Sequence, residues 1–469
     1  MTFESINPAT GERIAAYDRS LPVQVEEALA SAHRAFVAWH RAEMEERAAA
    51  LRSAARYLRR HRDRFALLIT AEMGKPIAEA EAEIEKCAWC CDHFAAHGPG
   101  YLADEPVSSN ASESSVVFEP LGVVLAVMPW NFPFWQFFRF AAPALMAGNT
   151  ALLKHAPNVS GCAFAIEEVI REAGFPTGTV RTILVETDGI AAIVDDDRVA
   201  AVTLTGSVGA GRAIGALAGR ALKKAVLELG GSDAFIVLDD ADLEGAVATA
   251  VRSRYQNGGQ SCIAAKRFIV TEGVASEFEA CFVDAVTALR VGASTSRETQ
   301  VGPLARADLR DNLERQVQGS VAMGARVATG GYALEGPGFY YAPTVLTGVT
   351  PEMPAFHEET FGPLAVVVRV RDADEAVTLA NDSVYGLGGA IWTASVERGK
   401  RLARQIAAGA VFVNGMTASD PRLPFGGVKH SGYGRELGSF GAREFTNTKT
   451  VWVGPAREEA PADVTGSAE

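Results

Sequence analysis

The sequence predicts an α/β fold with two doubly wound parallel-sheet units, and three observations carry that expectation. Between about residues 129 and 240 short apolar runs alternate with helical patterns. The alternation resumes from Arg267–Val270 and runs through Phe412–Asn414. The chain of 469 residues is also too long for a single core.

The elements follow in order. Residues 23–97 read as successive helices (Val25–Arg41, Met44–His61, Arg64–Glu72 and a fourth opening at Ile77), with acid-rich starts and arginine-rich faces suited to solvated helices. From Ser115 the texture changes: Val116–Pro120 and Val123–Met128 are apolar runs split by Leu121-Gly122, which predicts a hairpin or paired strands. Strands are expected at Ala151–Lys154, Val180–Val185, Ala200–Thr205, Ala225–Leu229 and Ala234–Val237. Helices are expected at Gly161–Ala173, Gly189–Val194 and Gly209–Leu222, and Asp239-Asp240-Ala241-Asp242 caps another. The boundary between units falls near Gly230–Asp233, and Pro455–Glu469 reads as a flexible tail.

Composition excludes several classes. A hydrophobic content of 48% with 22% charged residues is that of an ordinary globular chain, and a net charge of -13 argues against nucleic acid or an anionic membrane as partner. Met1–Gly11 lacks the basic-then-apolar pattern of a signal peptide, and no run reaches the roughly 18–20 apolar residues of a membrane helix. Six cysteines (87, 90, 91, 162, 262 and 281) in so long a chain form no disulfide framework, so reduced thiols and a cytoplasmic location are expected. Cys87, Cys90, His93 and His97 fall at helical spacing. That spacing matches no zinc signature, and Ile84, Ala88, Cys91 and Phe94 explain it as a packing face; no metal is expected.

One loop carries the chemistry. In Gln256-Asn257-Gly258-Gly259-Gln260-Ser261-Cys262 a thiol follows two glycines and stands among small residues, which suits a nucleophile as well as a small buried hydrophobe. Val202–Gly211 is a strand running through Thr205-Gly206-Ser207 into a helix, a start that can hold pyrophosphate or merely turn tightly. Its spacing is not that of the ordinary dinucleotide fingerprint. Glu228-Leu229-Gly230-Gly231 puts a carboxylate at a strand end, either a general base or a salt-bridged terminus. Pro129-Trp130-Asn131-Phe132-Pro133 clamps an amide that suits an oxyanion donor or a structural turn.

In this order, with Asn7-Pro8-Ala9-Thr10-Gly11, Lys154, Glu359-Thr360-Phe361-Gly362-Pro363 and Pro424–Lys429, these segments resemble the aldehyde dehydrogenase superfamily over nearly the whole chain. The resemblance implies that Cys262 adds to an aldehyde, that Asn131 and the Cys262 N–H stabilise the oxyanion, and that Glu228 activates water against the thioester. It implies a cofactor, NAD or NADP, held by Trp130, Lys154, Gly206, Ser207, Gly211, Leu229, Glu359 and Phe361. It also implies a dinucleotide-binding domain (1–114, 129–231 and 429–443) and a catalytic domain (232–428). A small β arm (115–128 and 444–454) would pair subunits into a homodimer or homotetramer.

Within the superfamily the chain is most similar to bacterial succinate-semialdehyde dehydrogenases, through Lys154–Val159, Tyr255-Gln256-Asn257 and Ala418-Ser419-Asp420. Arg139 and Ser419 match residues that clamp a substrate carboxylate, although a helix-face ion pair also explains Arg139. Three positions depart from the pattern. Gln256 stands where many such enzymes carry a second arginine, leaving Arg254 or Arg422 as replacements. Ala264 replaces a second cysteine and removes a redox switch. Pro157 replaces an acidic residue that excludes NADP, so either cofactor is compatible. Other substrates consistent with the residues are glutarate semialdehyde and unsubstituted aliphatic aldehydes. A cofactor-independent thiol esterase leaves Lys154 and Glu359 unexplained, and a non-catalytic paralogue should have lost Cys262, Glu228 or Asn131.

Overall fold

The structure, a computed structural model, describes residues 2–454; the expected tail at 455–469 lies outside them. Strands β1 (Thr2–Ile6) and β2 (Arg13–Asp18) form a small antiparallel pair. Asn7 Oδ1 accepts the Ala9 N–H at 2.9 Å in the turn between them, which explains the Asn-Pro-Ala-Thr-Gly segment as local turn chemistry. Four helices follow: α1 (Pro22–Trp39), α2 (Met44–Arg60), α3 (Arg62–Met73) and α4 (Ile77–Tyr101). They begin and end within a few residues of the sequence expectation.

The chain then builds a six-stranded sheet in the order β17-β9-β8-β5-β6-β7. Its members are β5 (Val123–Met128), β6 (Thr150–His155), β7 (Val180–Thr182), β8 (Val199–Thr205), β9 (Lys224–Glu228) and β17 (Gly432–Tyr433). All are parallel except β17. Helices α5 (Pro133–Ala147), α6 (Ser160–Glu172), α7 (Ile190–Asp195) and α8 (Val208–Arg220) alternate with the strands. Side chains leave the sheet on both faces. Val123, Leu125, Leu152 and Val202 pack into one core, while Val124, Ala126, Leu153 and Ala201 pack into the other. A parallel sheet covered on both sides accounts for the unbroken apolar runs.

The second sheet has the order β12-β13-β14-β11-β10-β15-β16. It comprises β10 (Asp233–Val237), β11 (Ala265–Thr271), β12 (Arg326–Thr329), β13 (Thr344–Thr347), β14 (Leu364–Val370), β15 (Gly388–Trp392) and β16 (Ala410–Val413). Only the β12–β13 pair is antiparallel. Helix α9 (Leu243–Tyr255) connects β10 to the Cys262 loop, and Asp242 caps it by accepting the Gly245 N–H. A four-residue crossover, Leu229–Ser232, joins the two sheets.

The hairpin expectation is corrected. Strand β5 does not pair with the preceding run; it sits in the middle of the first sheet, between β6 and β8. The preceding run, β4 (Glu113–Pro120), instead forms a separate three-stranded antiparallel sheet with β3 (Glu105–Pro106) and β18 (Thr446–Val453). Asn149 Oδ1 accepts the N–H groups of Leu121 (2.9 Å) and Gly122 (3.0 Å), fixing the chain as it leaves one sheet for the other. A turn signal marks a change of direction without saying which sheet receives the next strand.

Candidate active site

The first sheet reverses its strand order between β5 and β8, and a crevice at the carboxyl ends of such strands is where ligands bind in open α/β sheets. Trp130 and Asn131 follow β5, Lys154 is the next-to-last residue of β6, and Gly206 and Ser207 follow β8. Ser207 is the N-cap of α8, accepting the Ala210 N–H at 3.2 Å, so its own hydroxyl proton stays free beside the positive end of the helix. Gly206 is tied to β9 through the Glu228 carbonyl at 2.9 Å. Lys154 has no carboxylate partner among the described residues, and burial lowers its pKa. Trp130 meets Phe361 edge-on at 5.7 Å. Gly211 and Leu229 pack on each other, and a Cβ at Gly211 would overlap the leucine side chain. This donor-rich helix start and unpaired lysine fit a dinucleotide phosphate and ribose.

The Cys262 loop is held by unusual backbone. Asn257, Gly258 and Gly259 all adopt positive φ (57°, 60° and 73°). For Asn257 that conformation costs energy, which hydrogen bonds offset: its N–H donates to Glu79 Oε2 at 2.7 Å, and its Nδ2 donates to the Asn131 carbonyl at 2.8 Å. Asn131 Nδ2 donates to the Gln260 carbonyl at 3.1 Å, leaving one amide hydrogen. The Cys262 N–H makes no hydrogen bond among the described residues. Below the loop, the buried Lys266 Nζ donates to the carbonyls of Ser261 (2.9 Å) and Cys262 (2.7 Å) and lies 3.8 Å from Glu359 Oε1. The crossover glycines explain themselves here. A Cβ on Gly230 would come within 2.5 Å of Glu359 Oε2, and one on Gly231 within 2.5 Å of the Cys262 carbonyl.

Electrostatics separates the candidates. Burial pushes the Cys262 thiol up to about 11, against the pull of Arg139 and Lys266. Glu228 is 2% exposed and neither carboxylate oxygen has a hydrogen-bond partner. Burial and then Glu436 hold its pKa well above the usual carboxylate range. A buried carboxylate with no partner on either oxygen binds a proton more readily than a solvated one, as a general base requires.

A cavity of about 740 Å³ opens onto Cys262, and Arg139, Gln256 and Ser419 line it together. Of the two readings of Arg139, a carboxylate clamp or a helix-face ion pair, the structure shows an ion pair, with a partner off its own helix. Its guanidinium is ion-paired with the buried Glu436, bonds Thr205 Oγ1 at 3.3 Å and lies over the Phe425 ring, so its charge is already neutralised. The pairing partner comes from a segment almost 300 residues away, which no local pattern announces. Neither suggested replacement for the arginine absent at Gln256 reaches the cavity. Arg254 is buried behind the loop, donating to the carbonyls of Thr360 and Gly362, and Arg422 is exposed and paired with Asp420. The cavity contains instead Lys86 of α4, whose Nζ donates to Ser419 Oγ at 2.9 Å and stands 4.3 Å over the Trp135 ring. Lys86, Lys266 and Glu436 carried no sequence signal beyond charge in buried surroundings. The Cys87, Cys90 and Cys91 thiols are buried in the helical core, and no metal-binding group of three or more side chains is assembled among the described residues.

Comparison with known proteins decides the family. The aldehyde dehydrogenase family model matches residues 1–451. The chain belongs to the aldehyde dehydrogenase family. It is 51% identical to the succinate semialdehyde dehydrogenase [NAD(P)+] Sad of Escherichia coli K12, over 96% of this chain and 97% of that one. It is also 51% identical to a probable succinate-semialdehyde dehydrogenase [NADP(+)] of Synechocystis, over 97% and 100%. Among solved structures, the succinic semialdehyde dehydrogenase of Streptococcus pyogenes with NADP+ superposes with a TM-score of 0.94 at 36% identity, covering 97% of this chain and all of that one. The two-sheet α/β architecture of this chain is thus the aldehyde dehydrogenase fold.

Proposed function

We propose that this aldehyde dehydrogenase oxidises succinate semialdehyde to succinate with NAD or NADP. The observation that carries the chemistry is Cys262, held on a strained loop with an unpaired N–H and the Asn131 amide beside it. The relatives' substrate and the cations in the cavity support the carboxylate-bearing aldehyde. Cys262 loses its thiol proton to solvent water as its sulfur bonds the aldehyde carbon, and the Asn131 Nδ2 and Cys262 N–H groups receive the oxyanion. The nicotinamide, when bound, supplies the hydride acceptor; Lys154, Ser207, Glu359, Phe361 and Trp130 would hold the cofactor. Glu228 then takes a proton from water as its oxygen attacks the thioester carbonyl, and the sulfur departs as the carboxylate forms.

The test is formation of reduced cofactor, followed by absorbance, with succinate semialdehyde, glutarate semialdehyde and butanal, each with NAD and with NADP. The reading requires the highest kcat/KM for succinate semialdehyde; a higher value for butanal overturns it. We also infer a cytoplasmic homodimer or homotetramer paired along β18, where Val451, Trp452 and Val453 are 39%, 51% and 45% exposed on a sheet edge. No described helix is long and apolar enough to cross a membrane. Lysine at Val451 and Trp452 should lower the mass measured by light scattering; an unchanged mass rules out this edge.

A further inference from the structure

We propose that Lys86, with Ser419 and Trp135, forms the subsite that recognises the substrate's distal carboxylate, and that Lys86 supplies its uncompensated charge. The inference rests on the reading of the substrate as a carboxylate-bearing aldehyde. The cluster is a convergence of donors. Lys86 Nζ and Trp135 Nε1 both donate to Ser419 Oγ, at 2.9 and 3.1 Å. With its oxygen thus occupied by two donors, the serine hydroxyl has only its proton left to offer. Lys86 has two further ammonium hydrogens with no acceptor among the described residues, and Trp135 offers no acceptor at all. A wall that presents hydrogen-bond donors and no acceptor fits a carboxylate and rejects a neutral alkyl group, which would leave those donors unpaired.

Charge balance isolates the same residue. Arg139 is neutralised by Glu436, and Glu83, one turn before Lys86 on α4, is taken by Lys75 and by the N–H groups of Phe134 (2.9 Å) and Trp135 (3.0 Å). Arg297 is exposed and paired with Glu81, and the exposed Arg252 neighbours the Glu79 carboxylate. Lys86 has no carboxylate partner among the described residues, and burial, then Arg139, lower its pKa to about 8. A carboxylate would supply the missing counterion. Lys86 and Gln256, the position that lacks an arginine, both line the cavity that opens onto Cys262.

Steady-state kinetics of Lys86→Met and Lys86→Arg test this, using succinate semialdehyde and butanal at saturating NADP. The readout is the ratio of the two kcat/KM values. In Lys86→Met it should fall about 10- to 100-fold, the range of one charge-assisted hydrogen bond, through KM for the semialdehyde. In Lys86→Arg it should stay within about threefold, because a cationic donor remains. Succinate as a competitive inhibitor of butanal oxidation should weaken in Lys86→Met by a similar factor. A Lys86→Met ratio equal to that of the unsubstituted enzyme overturns the Lys86 subsite while leaving the substrate reading intact. An unsubstituted enzyme that shows no preference over butanal overturns the substrate reading, and the subsite with it.

Discussion

Arg139, which helps to line the cavity, forms an ion pair with Glu436 in which each side chain is only 2% exposed, and Glu228 lies within reach of both charges. The pair makes Arg139 a poor probe of substrate binding. Truncating it to alanine strands a buried Glu436 carboxylate, which should cost about 3–5 kcal/mol in urea unfolding. A loss below about 1 kcal/mol would show that the guanidinium is not committed to Glu436.

Glu228, the proposed general base, should cost stability. Burial, reinforced by Glu436, raises its folded pKa well above the unfolded value of about 4.3. The folded state therefore binds the proton more tightly, and the associated stability is complete below about pH 4 and lost as pH rises through the folded pKa. Glu228→Gln should be more stable than the unsubstituted protein at pH 8, with the difference vanishing toward pH 4, while turnover drops at least about 100-fold. Denaturant midpoints across that pH range check the sign; a less stable variant at pH 8 contradicts it.

The crossover glycine is a positional requirement. Gly231→Ala puts a methyl 2.5 Å from the Cys262 carbonyl, against backbone that cannot rotate away. The fold should survive, and kcat should fall by about 100-fold as the sulfur is displaced. Near-normal kcat with a native circular dichroism spectrum would mean that the loop does not rest on this residue.

Substrate preference should itself titrate. Lys86 faces Arg139 from α5, Glu83, Cys87 and Cys90 on its own helix, and Ser419 from the facing loop, and its pKa lies at about 8. Below that pH the ammonium is charged; as pH rises through it, the attraction for a carboxylate is lost. The kcat/KM ratio of succinate semialdehyde to butanal should therefore decline above about pH 8, a comparison that cancels the titrations of Cys262 and Glu228. A ratio flat from pH 6 to 9.5 would remove Lys86 as the charge that binds substrate.

Much of this molecule is legible in its sequence because its chemistry is local. The positive-φ turn before Cys262 and the Ser207 cap each pair a residue type with a backbone demand within a few positions. What escaped was set by distance along the chain. The Arg139–Glu436 pair joins α5 to a segment just after β17, and the Lys86–Ser419 bond spans 333 positions. The misplaced hairpin has the same origin, since β4 finds its partner in β18, more than 300 residues later. Charges at such positions look like solvated helix faces until the fold assembles around them.

The most direct test of the central claim is to trap the acyl intermediate. Glu228→Gln mixed with succinate semialdehyde and NADP, then quenched in acid and digested, should yield the Cys262 peptide carrying one succinyl group by mass spectrometry, with Cys262→Ser unmodified. Reduced cofactor accumulating over many turnovers while Cys262 stays unmodified would contradict covalent catalysis at this cysteine.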